Sequence, residues 1–266
     1  MSVTRIWWPV SDGMAAAERV LTKLRHEQTA LVLTVGAPVV LVLVFGYVFG
    51  SAIAVPGRED YRAFLVPGLF VMTAANIVPS MVTMARDSYR GVVDRFRSLP
   101  ISRVAVPFGQ AAATAVYGAV SLVLMALCGL AVGWRVENGA GQALAALGLL
   151  MAFQIAMTWA GMYLGLVLGR EETAAQVSIL TFPVTGLSNV FVPTSGMPGW
   201  LRAIADWNPI SAVAAATRQL FGNPTAPANG AWPLEHPVTA ALGWTALLLV
   251  VFVPLCTARY ARGRAS

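Results

Sequence analysis

The sequence predicts an all-α integral membrane protein with six transmembrane helices, and three observations support this fold class. Of the 266 residues, 57% are hydrophobic and only 11% are charged, whereas soluble domains carry about 25% charged residues. Six stretches long enough to cross ~30 Å of hydrocarbon contain no Asp, Glu, Lys, Arg or His. All twelve acidic residues lie between these stretches. The stretches are residues 29–50, 63–85, 104–132, 143–169, 173–192 and 238–258.

The basic residues indicate how these spans are oriented. Lys and Arg near the ends of spans remain preferentially on the cytoplasmic side of a membrane. Thirteen of the eighteen lie before the first span, between the second and third, between the fourth and fifth, or after the sixth. We therefore expect both termini in the cytoplasm. The net charge of +6 follows from this asymmetry, and it gives no reason to expect nucleic-acid binding.

The two ends of the chain flank a single six-helix domain of residues 29–258. Residues 1–28 are predicted to form a cytoplasmic amphipathic helix, because Ala17, Val20, Leu21 and Leu24 recur at helical spacing between charged residues. Such a helix lies along the inner membrane surface. Residues 259–266 form a short basic cytoplasmic tail.

The cytoplasmic loop between the second and third spans contains a predicted amphipathic helix of residues 87–99. Tyr89, Val92, Phe96 and Leu99 form an apolar stripe at helical spacing. Pro100 ends the helix at Leu99. The pattern alone is equally compatible with a helix that rests on the membrane surface and with one that docks into a partner.

The segment of residues 193–221 is predicted to form extracellular re-entrant half-helices before the last span. Pro198 suits the first turn of one helix. Asn208–Pro209 ends that helix, and a second apolar pattern begins at Ile210. Each piece is too short to span a membrane, so we expect the pair to enter the outer leaflet and return.

Gly161, Gly165 and Gly169 in the fourth span lie four residues apart, which produces a smooth helix face that a neighbouring helix can approach closely. We expect this face to pack within the subunit and not to form a dedicated dimer interface.

Several kinds of chemistry are excluded. The chain has one lysine, Lys23, which follows no glycine-rich loop, so a phosphate-binding GxxxxGK[ST] motif is absent. His26 and His236 are expected on opposite sides of the membrane, so no metal site is predicted. No span contains the buried acid or base that an intramembrane enzyme or a proton-coupled carrier needs. We therefore predict no catalytic residue and no cofactor bound by this chain.

Uncharged polar residues in the spans are the remaining candidates for contacts along a transport pathway. Polar groups without charge suit a bulky amphipathic or lipid-like cargo, because an isolated buried charge is costly. Polar residues of this kind more often make hydrogen bonds between packed helices. The candidates are Asn76, Gln110, Gln154 and Asn189.

Three segments resemble the permease subunits of type-2 ATP-binding-cassette exporters of the daunorubicin-resistance type. The first is Arg86-Asp87 with Gly91 and the run from Asp94 to Arg103. The second is Arg170-Glu171-Glu172 with Gln176. The third runs from Ser188 to Pro193, continues in Met197-Pro198-Gly199-Trp200-Leu201, and ends at Asn208-Pro209. The resemblance extends over about the whole chain, including the order of the spans.

The resemblance implies a bacterial plasma-membrane exporter with a separate ATPase subunit, on which ATP and Mg²⁺ would bind. It also implies that the permease forms a dimer with a second permease subunit, and it favours a homodimer over a heterodimer. The cargo would be a drug, lipid, glycolipid or polysaccharide precursor. Residues 1–28 resemble the family's connecting helix, and residues 87–99 resemble the helix that couples to the ATPase. The coupling residues implied are Asp87, Arg90, Val92, Asp94, Phe96, Arg97 and Leu99.

The re-entrant segment is expected to close the extracellular end of the pathway. The gate candidates are Phe191, Pro193, Trp200, Trp207, Asn208 and Pro209. Two other functions remain as alternatives. One is a membrane assembly or immunity protein that binds a partner without transport, and the other is a membrane enzyme. A copurifying ATPase would favour the exporter over both.

Overall fold

The structure, a computed structural model, describes residues 61–91, 105–225 and 230–262, together with the isolated positions 36, 40 and 44. The predicted connecting helix of residues 1–28 lies outside the described residues. The predicted first span has only those three isolated positions among them.

The described part of the chain contains ten α-helices and no β-strand. Four segments are long and apolar enough to cross a membrane: Tyr61–Tyr89, Val106–Ala131, Ala140–Leu168 and Pro237–Arg262. They confirm the predicted second, third, fourth and sixth spans as helical segments of spanning length. The helices are α1 (Tyr61–Ala74), α2 (Val78–Tyr89), α3 (Ala105–Ala131), α4 (Ala140–Leu168), α5 (Glu171–Ser178), α6 (Thr181–Gly186), α7 (Gly199–Asp206), α8 (Pro209–Phe221), α9 (Trp232–Glu235) and α10 (Pro237–Arg262).

The second span is interrupted between α1 and α2. Pro79 has no N–H to donate to the carbonyl of Ala75, and its ring would clash with that carbonyl in a continuous helix. The side chain of Asn76 accepts a hydrogen bond from the Val78 N–H at 3.2 Å, which caps the start of α2. The span therefore consists of two helices joined at residues 75–77.

The predicted coupling helix of residues 87–99 differs from the structure at its start. Asp87 and Tyr89 belong to the last turn of α2. Gly91 then adopts a left-handed backbone with φ of 67°, a common way for a helix to end. Residues 92–99 lie outside the described residues.

The predicted fifth span, residues 173–192, is also not one helix. The chain forms α5 and α6 with a turn at Ile179 and Leu180, and the helix ends at Gly186. Pro183 explains the turn, because it cannot donate to the carbonyl of Ile179. The 8 and 6 helical residues rise only about 21 Å at 1.5 Å per residue.

Helix α4 lies at the centre of the described fold and packs against α1, α2, α3, α5, α8 and α10. A Cβ added to Gly165 would lie 2.3 Å from the Met81 carbonyl oxygen, and one added to Gly161 would lie 2.7 Å from the Ile77 carbonyl oxygen. The glycine face therefore packs against α2 within the subunit, as predicted. Gly169 has a different role, because it ends α4 with a φ of 65°.

Two helices follow the interrupted fifth span, and they meet at Asn208–Pro209 as the sequence predicts. Helix α8 is almost entirely buried against α1, α4 and α10. The short helix α9 lies between α8 and α10. Helix α10 continues to Arg262, so the predicted tail of residues 259–266 begins inside the helix.

Candidate functional site

The guanidinium of Arg218 is fully buried and joins three parts of the fold. Its Nε donates to the Phe64 carbonyl oxygen of α1 at 2.9 Å. Its Nη2 donates to the carbonyl oxygens of Asn189 at 3.0 Å and Val190 at 2.9 Å. Its Nη1 donates to the Asn189 side-chain oxygen at 3.3 Å. The guanidinium also lies 3.6 Å from the centroid of the Phe64 ring. We call Tyr61, Phe64, Gly68, Asn189, Val190 and Arg218 the Arg218 cluster.

The local sequence explains how Arg218 reaches this position. Asn208 caps α8 by accepting a hydrogen bond from the Ile210 N–H at 2.9 Å, and Pro209 occupies the first turn, where its missing N–H has no cost. Ser211 and Arg218 are seven residues apart, close to two helical turns, so they lie on the same face. That face meets the chain after α6.

The electrostatics of the cluster are unusual because none of the described residues forms an ion pair with Arg218. In the described part of the chain, every hydrogen-bond partner of Arg218 is a neutral oxygen. A buried charge is tolerated only when its hydrogen-bonding groups are satisfied, and the Phe64 ring adds a favourable cation–π contact. Each buried group left without its partner would cost about 1–3 kcal/mol. The charge and the carbonyl groups therefore depend on one another.

Tyr61 and Gly68 complete the cluster from α1. The Tyr61 hydroxyl donates to the Phe191 carbonyl oxygen at 2.7 Å. A Cβ added to Gly68 would lie 2.5 Å from the Val190 carbonyl oxygen and 3.0 Å from Arg218 Nη2. No larger residue at position 68 could allow this approach without a shift of one partner. Helix α1 and the chain after α6 are therefore in direct backbone contact.

A second polar cluster lies at the other end of the second span. Arg86 near the end of α2 forms an ion pair with Glu171 in the first turn of α5. The hydrogen bond from Arg86 lowers the pKa of the Glu171 carboxyl from its ordinary value. Arg170 lies 5.9 Å from the centroid of the Tyr89 ring. We call Arg86, Tyr89, Arg170 and Glu171 the Arg86 cluster.

Apolar packing lies directly behind this ion pair. Met81, Ala85 and Ala174 are fully buried in one small cluster that joins α2 to α5. The ion-pair side chains themselves remain 44% and 35% exposed. Exposed pairs contribute little to stability, since water screens them. The apolar contacts hold the two helices together, while the ion pair determines their register.

The Arg86 and Arg218 clusters lie at opposite ends of the same span. Phe64 in α1 and Arg86 in α2 are 22 positions apart, with the break at residues 75–77 between them. At both ends α1 and α2 contact the interrupted fifth segment. Between these ends, α6 has no buried residue. The fifth segment is thus attached at its two ends and uncovered in its middle.

The predicted gate residues fall into two groups. Phe191 is partly buried against the main core, and Asn208 donates from its side-chain nitrogen to the Leu187 carbonyl oxygen at 2.9 Å. Pro209 begins α8, and Pro193 precedes a short 3-10 turn. By contrast, Trp200 is 70% and Trp207 56% exposed. The structure therefore brings Phe191 and Asn208 towards the Arg218 cluster and leaves both tryptophans uncovered.

The four polar candidates in the spans have separate environments. Gln154 of α4 is buried opposite Gly118 of α3, where an added Cβ would collide with the Gln154 amide. Asn76 caps α2 and is exposed, and Gln110 lies on α3 at intermediate exposure. Asn189 belongs to the Arg218 cluster. The structure does not bring these four residues together into one pathway.

Among the predicted coupling residues, the structure describes Asp87 and Arg90. Asp87 lies in α2 and is half-buried, whereas Arg90 caps its end and is exposed. The remaining five fall outside the described residues: Val92, Asp94, Phe96, Arg97 and Leu99. The Arg86 cluster lies immediately before them and forms the attachment of the loop to the membrane domain.

Sequence reasoning missed Arg218, which was counted among the loop charges. A signal was present, because Arg218 lies in a helix composed otherwise of apolar, small and uncharged polar residues between Pro209 and Phe221. A lone charge on a helix that is buried on several faces requires partners within the protein. The partners themselves are mostly backbone carbonyls, which no residue pattern reveals.

Residues 14–221 match the model of the family described as ABC-2 type transporter. The chain belongs to the ABC-2 type transporter family. This ABC-2 chain is therefore a multi-pass membrane permease. The family implies association with an ABC ATPase subunit.

Two relatives of this ABC-2 chain carry drug-resistance names. The chain is 31% identical to the daunorubicin resistance ABC transporter permease protein DrrB1 of Streptomyces coeruleorubidus, over 94% of this chain and 86% of the relative. It is 25% identical to the probable doxorubicin resistance ABC transporter permease protein DrrC of Mycobacterium tuberculosis, over 92% and 87%. A putative transport permease, ycf38 of Porphyra purpurea, is 23% identical over 80% and 75%.

Proposed function

We propose that this ABC-2 permease forms the membrane pathway of an exporter for a hydrophobic or amphipathic cargo and is driven by a separate ATPase. The observation that carries the proposal is the fifth segment, α5 and α6. It is attached at the Arg86 cluster and at the Arg218 cluster, yet Ile179, Phe182 and Val184 between them are 72%, 57% and 56% exposed. In a membrane-spanning chain such an apolar surface suits lipid, a second subunit or a cargo, and we assign this one to the subunit contact and the cargo.

The uncovered surface also supports a second permease copy as partner. Trp200 in α7 and Trp207 at the C-terminal end of that helix are both exposed, and they add aromatic area in the chain that follows the fifth segment. Aromatic residues are enriched both in protein–protein interfaces and at the boundary between membrane and water. We infer a homodimer in which the two fifth segments line a shared pathway.

The Arg86 end is proposed to face the cytoplasm and to carry the contact with the ATPase. This orientation rests on the excess of basic residues at that side of the spans. Residues 92–99 follow directly, and their apolar stripe with Phe96 suits docking of a helix into a groove. Movement of the ATPase would reach α2 first and α5 through the Arg86–Glu171 pair.

The decisive experiment is ATP-dependent transport by the reconstituted complex. The permease is expressed with the ABC ATPase that copurifies with it, and inside-out vesicles are assayed for uptake of daunorubicin. We expect uptake that requires ATP and both subunits. Copurification of an ATPase without any ATP-dependent uptake of daunorubicin or of fluorescent lipids would contradict export and favour an assembly role.

Phe96 provides a matched test of the coupling contact. Truncation of a buried aromatic anchor costs about 2 kcal/mol or more, which is roughly a thirtyfold loss of affinity. We expect Phe96→Ala to abolish pull-down of the ATPase. Arg97→Ala serves as the control, because charges at the rim of an interface mainly change the association rate. Equal pull-down by both variants at equal membrane abundance would contradict docking through the apolar stripe.

A further inference from the structure

The chain from Leu187 to Phe191, which we call the strap, has an irregular backbone directly after α6. Irregular backbone at membrane depth requires partners within the protein, because lipid offers none. In the strap these partners are side chains of two other helices. Asn208 donates to the Leu187 carbonyl oxygen at 2.9 Å, Ser211 Oγ accepts from the Asn189 N–H at 3.0 Å, and Tyr61 donates to the Phe191 carbonyl oxygen.

Arg218 differs from the other contacts of the strap in what it joins. Asn208 and Ser211 connect the strap to α8, and Tyr61 connects it to α1. Arg218 alone among these side chains binds the strap and α1 simultaneously, through Asn189, Val190 and Phe64. The planar guanidinium of arginine carries several N–H donors in a fixed geometry, so it can bind several carbonyls at once. The single ammonium group of lysine is less suited to this.

Some buried polar groups near the strap have hydrogen-bond partners and others have none among the described residues. Arg218 donates to the Asn189 and Val190 carbonyl oxygens, but the Asn189 side-chain nitrogen is buried without a hydrogen-bond partner in the described part of the protein. The same holds for Thr194 Oγ1, Arg202 Nε and Asp206 Oδ1, all within the stretch from the strap to α7. Polar groups left in this way favour any arrangement that exposes or pairs them. An arrangement that pairs or hydrates these groups would therefore offset part of the cost of releasing the strap.

We propose that Arg218 is a positioning residue that holds the strap closed against α1, and that its release opens this end of the permease. The inference rests on the proposed function, in which this end faces outward and closes the pathway. Because α1 and α2 form one span, a displacement of the coupling loop at the Arg86 end can reach the strap through Arg218. The proposed opening involves no covalent step; only hydrogen bonds break and form.

The test measures the exposure of the strap directly and does not depend on transport. In a chain carrying Cys128→Ser and Cys256→Ser, Ser188→Cys serves as reporter, because Ser188 is fully buried in the strap. The purified chain in nanodiscs is treated with a membrane-impermeant maleimide, which reaches both faces. We expect Arg218→Lys to increase the labelling rate about tenfold or more, because labelling of a buried group follows the population of the opened state.

Gly68→Ala provides a second variant that leaves every polar group in place. Its Cβ would press on the Val190 carbonyl oxygen at 2.5 Å and displace the strap from Arg218. Gly148→Ala is the matched control, because nothing lies within 4 Å of an added Cβ there. We expect faster labelling in Gly68→Ala and an unchanged rate in Gly148→Ala. An exposed reporter, Ser195→Cys, should label equally in all backgrounds.

Two results would overturn the proposal. One is an unchanged labelling rate of the buried reporter in both Arg218→Lys and Gly68→Ala. The other is loss of both variants from the membrane while Gly148→Ala accumulates, which would make Arg218 a requirement for assembly only. Absence of ATP-dependent uptake by the unmodified complex would instead contradict the proposed function, and the labelling comparison would still decide the role of Arg218.

Discussion

Replacement of Gly165 by alanine tests whether the close contact of α4 with α2 stabilises the end of the span that carries the Arg86 cluster. The added Cβ would lie 2.3 Å from the Met81 carbonyl oxygen, 3.0 Å from Met84 Cβ and 3.1 Å from the Ala85 nitrogen. Because two of these neighbours are backbone atoms, no rotation of a side chain relieves the collision. The helices must separate by about 1 Å to regain an ordinary contact distance.

The expected cost is that of overpacking, about 1–3 kcal/mol. Helix propensity opposes it, because alanine is favoured over glycine within a helix by up to about 1 kcal/mol. Gly148→Ala in the same helix isolates this second effect, since an added Cβ there contacts nothing within 4 Å. Gly165→Ala should therefore be less stable than Gly148→Ala by about 1–3 kcal/mol, the overpacking term alone.

Thermal denaturation of the two purified variants in one detergent measures this difference. At roughly 2–4 °C per kcal/mol for a chain of this size, Gly165→Ala should melt several degrees below Gly148→Ala. Separation of α2 from α4 also displaces α5, which follows α4 directly, so the pull-down of the ATPase should weaken. Equal melting temperatures would refute the close packing, because the two substitutions differ only in what the new methyl group meets.

Four further predictions concern the orientation, the Arg86–Glu171 ion pair, the pH dependence of transport and the exposed Trp200. Ser195→Cys should react with an impermeant thiol reagent in intact cells and Ser266→Cys should not, and the reverse pattern would invert the orientation. Arg86→Glu should reduce transport per ATP hydrolysed, and its combination with Glu171→Arg should restore it; no recovery would exclude a coupling role for the pair. Because the pKa of Glu171 is lowered, its contribution is lost only as the pH falls through that lowered value, so Glu171→Gln should leave the shape of the transport profile between about pH 6 and 8 unchanged. Trp200→Ala should impair export at normal pull-down, whereas normal export would reduce Trp200 to an interfacial anchor.

The positions of the spans could be read from the sequence because charge is costly in hydrocarbon, but the breaks within them could not. Pro79 and Pro183 each lie two to four residues after an interruption of the helix, because neither can donate to the carbonyl four residues before it. Pro67 and Pro254 lie inside helices that continue through them. Neighbouring helices and Ser or Thr side chains can satisfy the carbonyl that a proline leaves free. The outcome therefore depends on tertiary contacts, although Asn76 beside the first break gave a local indication of a cap.

The sequence could predict the Arg86 cluster better than the Arg218 cluster, because the first is formed by charged side chains and the second depends on backbone carbonyls. Arg86 and Glu171 are charged residues in two segments that the resemblance had already selected, and opposite charges attract whatever the detailed fold. Arg218 binds carbonyl oxygens of residues 28 to 154 positions away along the chain. Backbone carbonyls occur at every residue, so no pattern of side chains indicates which of them will be available to an arginine.

The rule that located the spans also concealed Arg218, because it assigns every charged residue to a loop. A charge that breaks this rule can be buried only where enough acceptors converge on it. Here the acceptors come from α1 and from the strap, so burial of Arg218 and placement of the strap each require the other. If the strap moved away from α1, the Arg218 guanidinium would lose its carbonyl acceptors and would remain buried without hydrogen bonds unless water entered at the same time. Opening of this end should therefore be a concerted change between two states, with hydration of Arg218 as part of the open state.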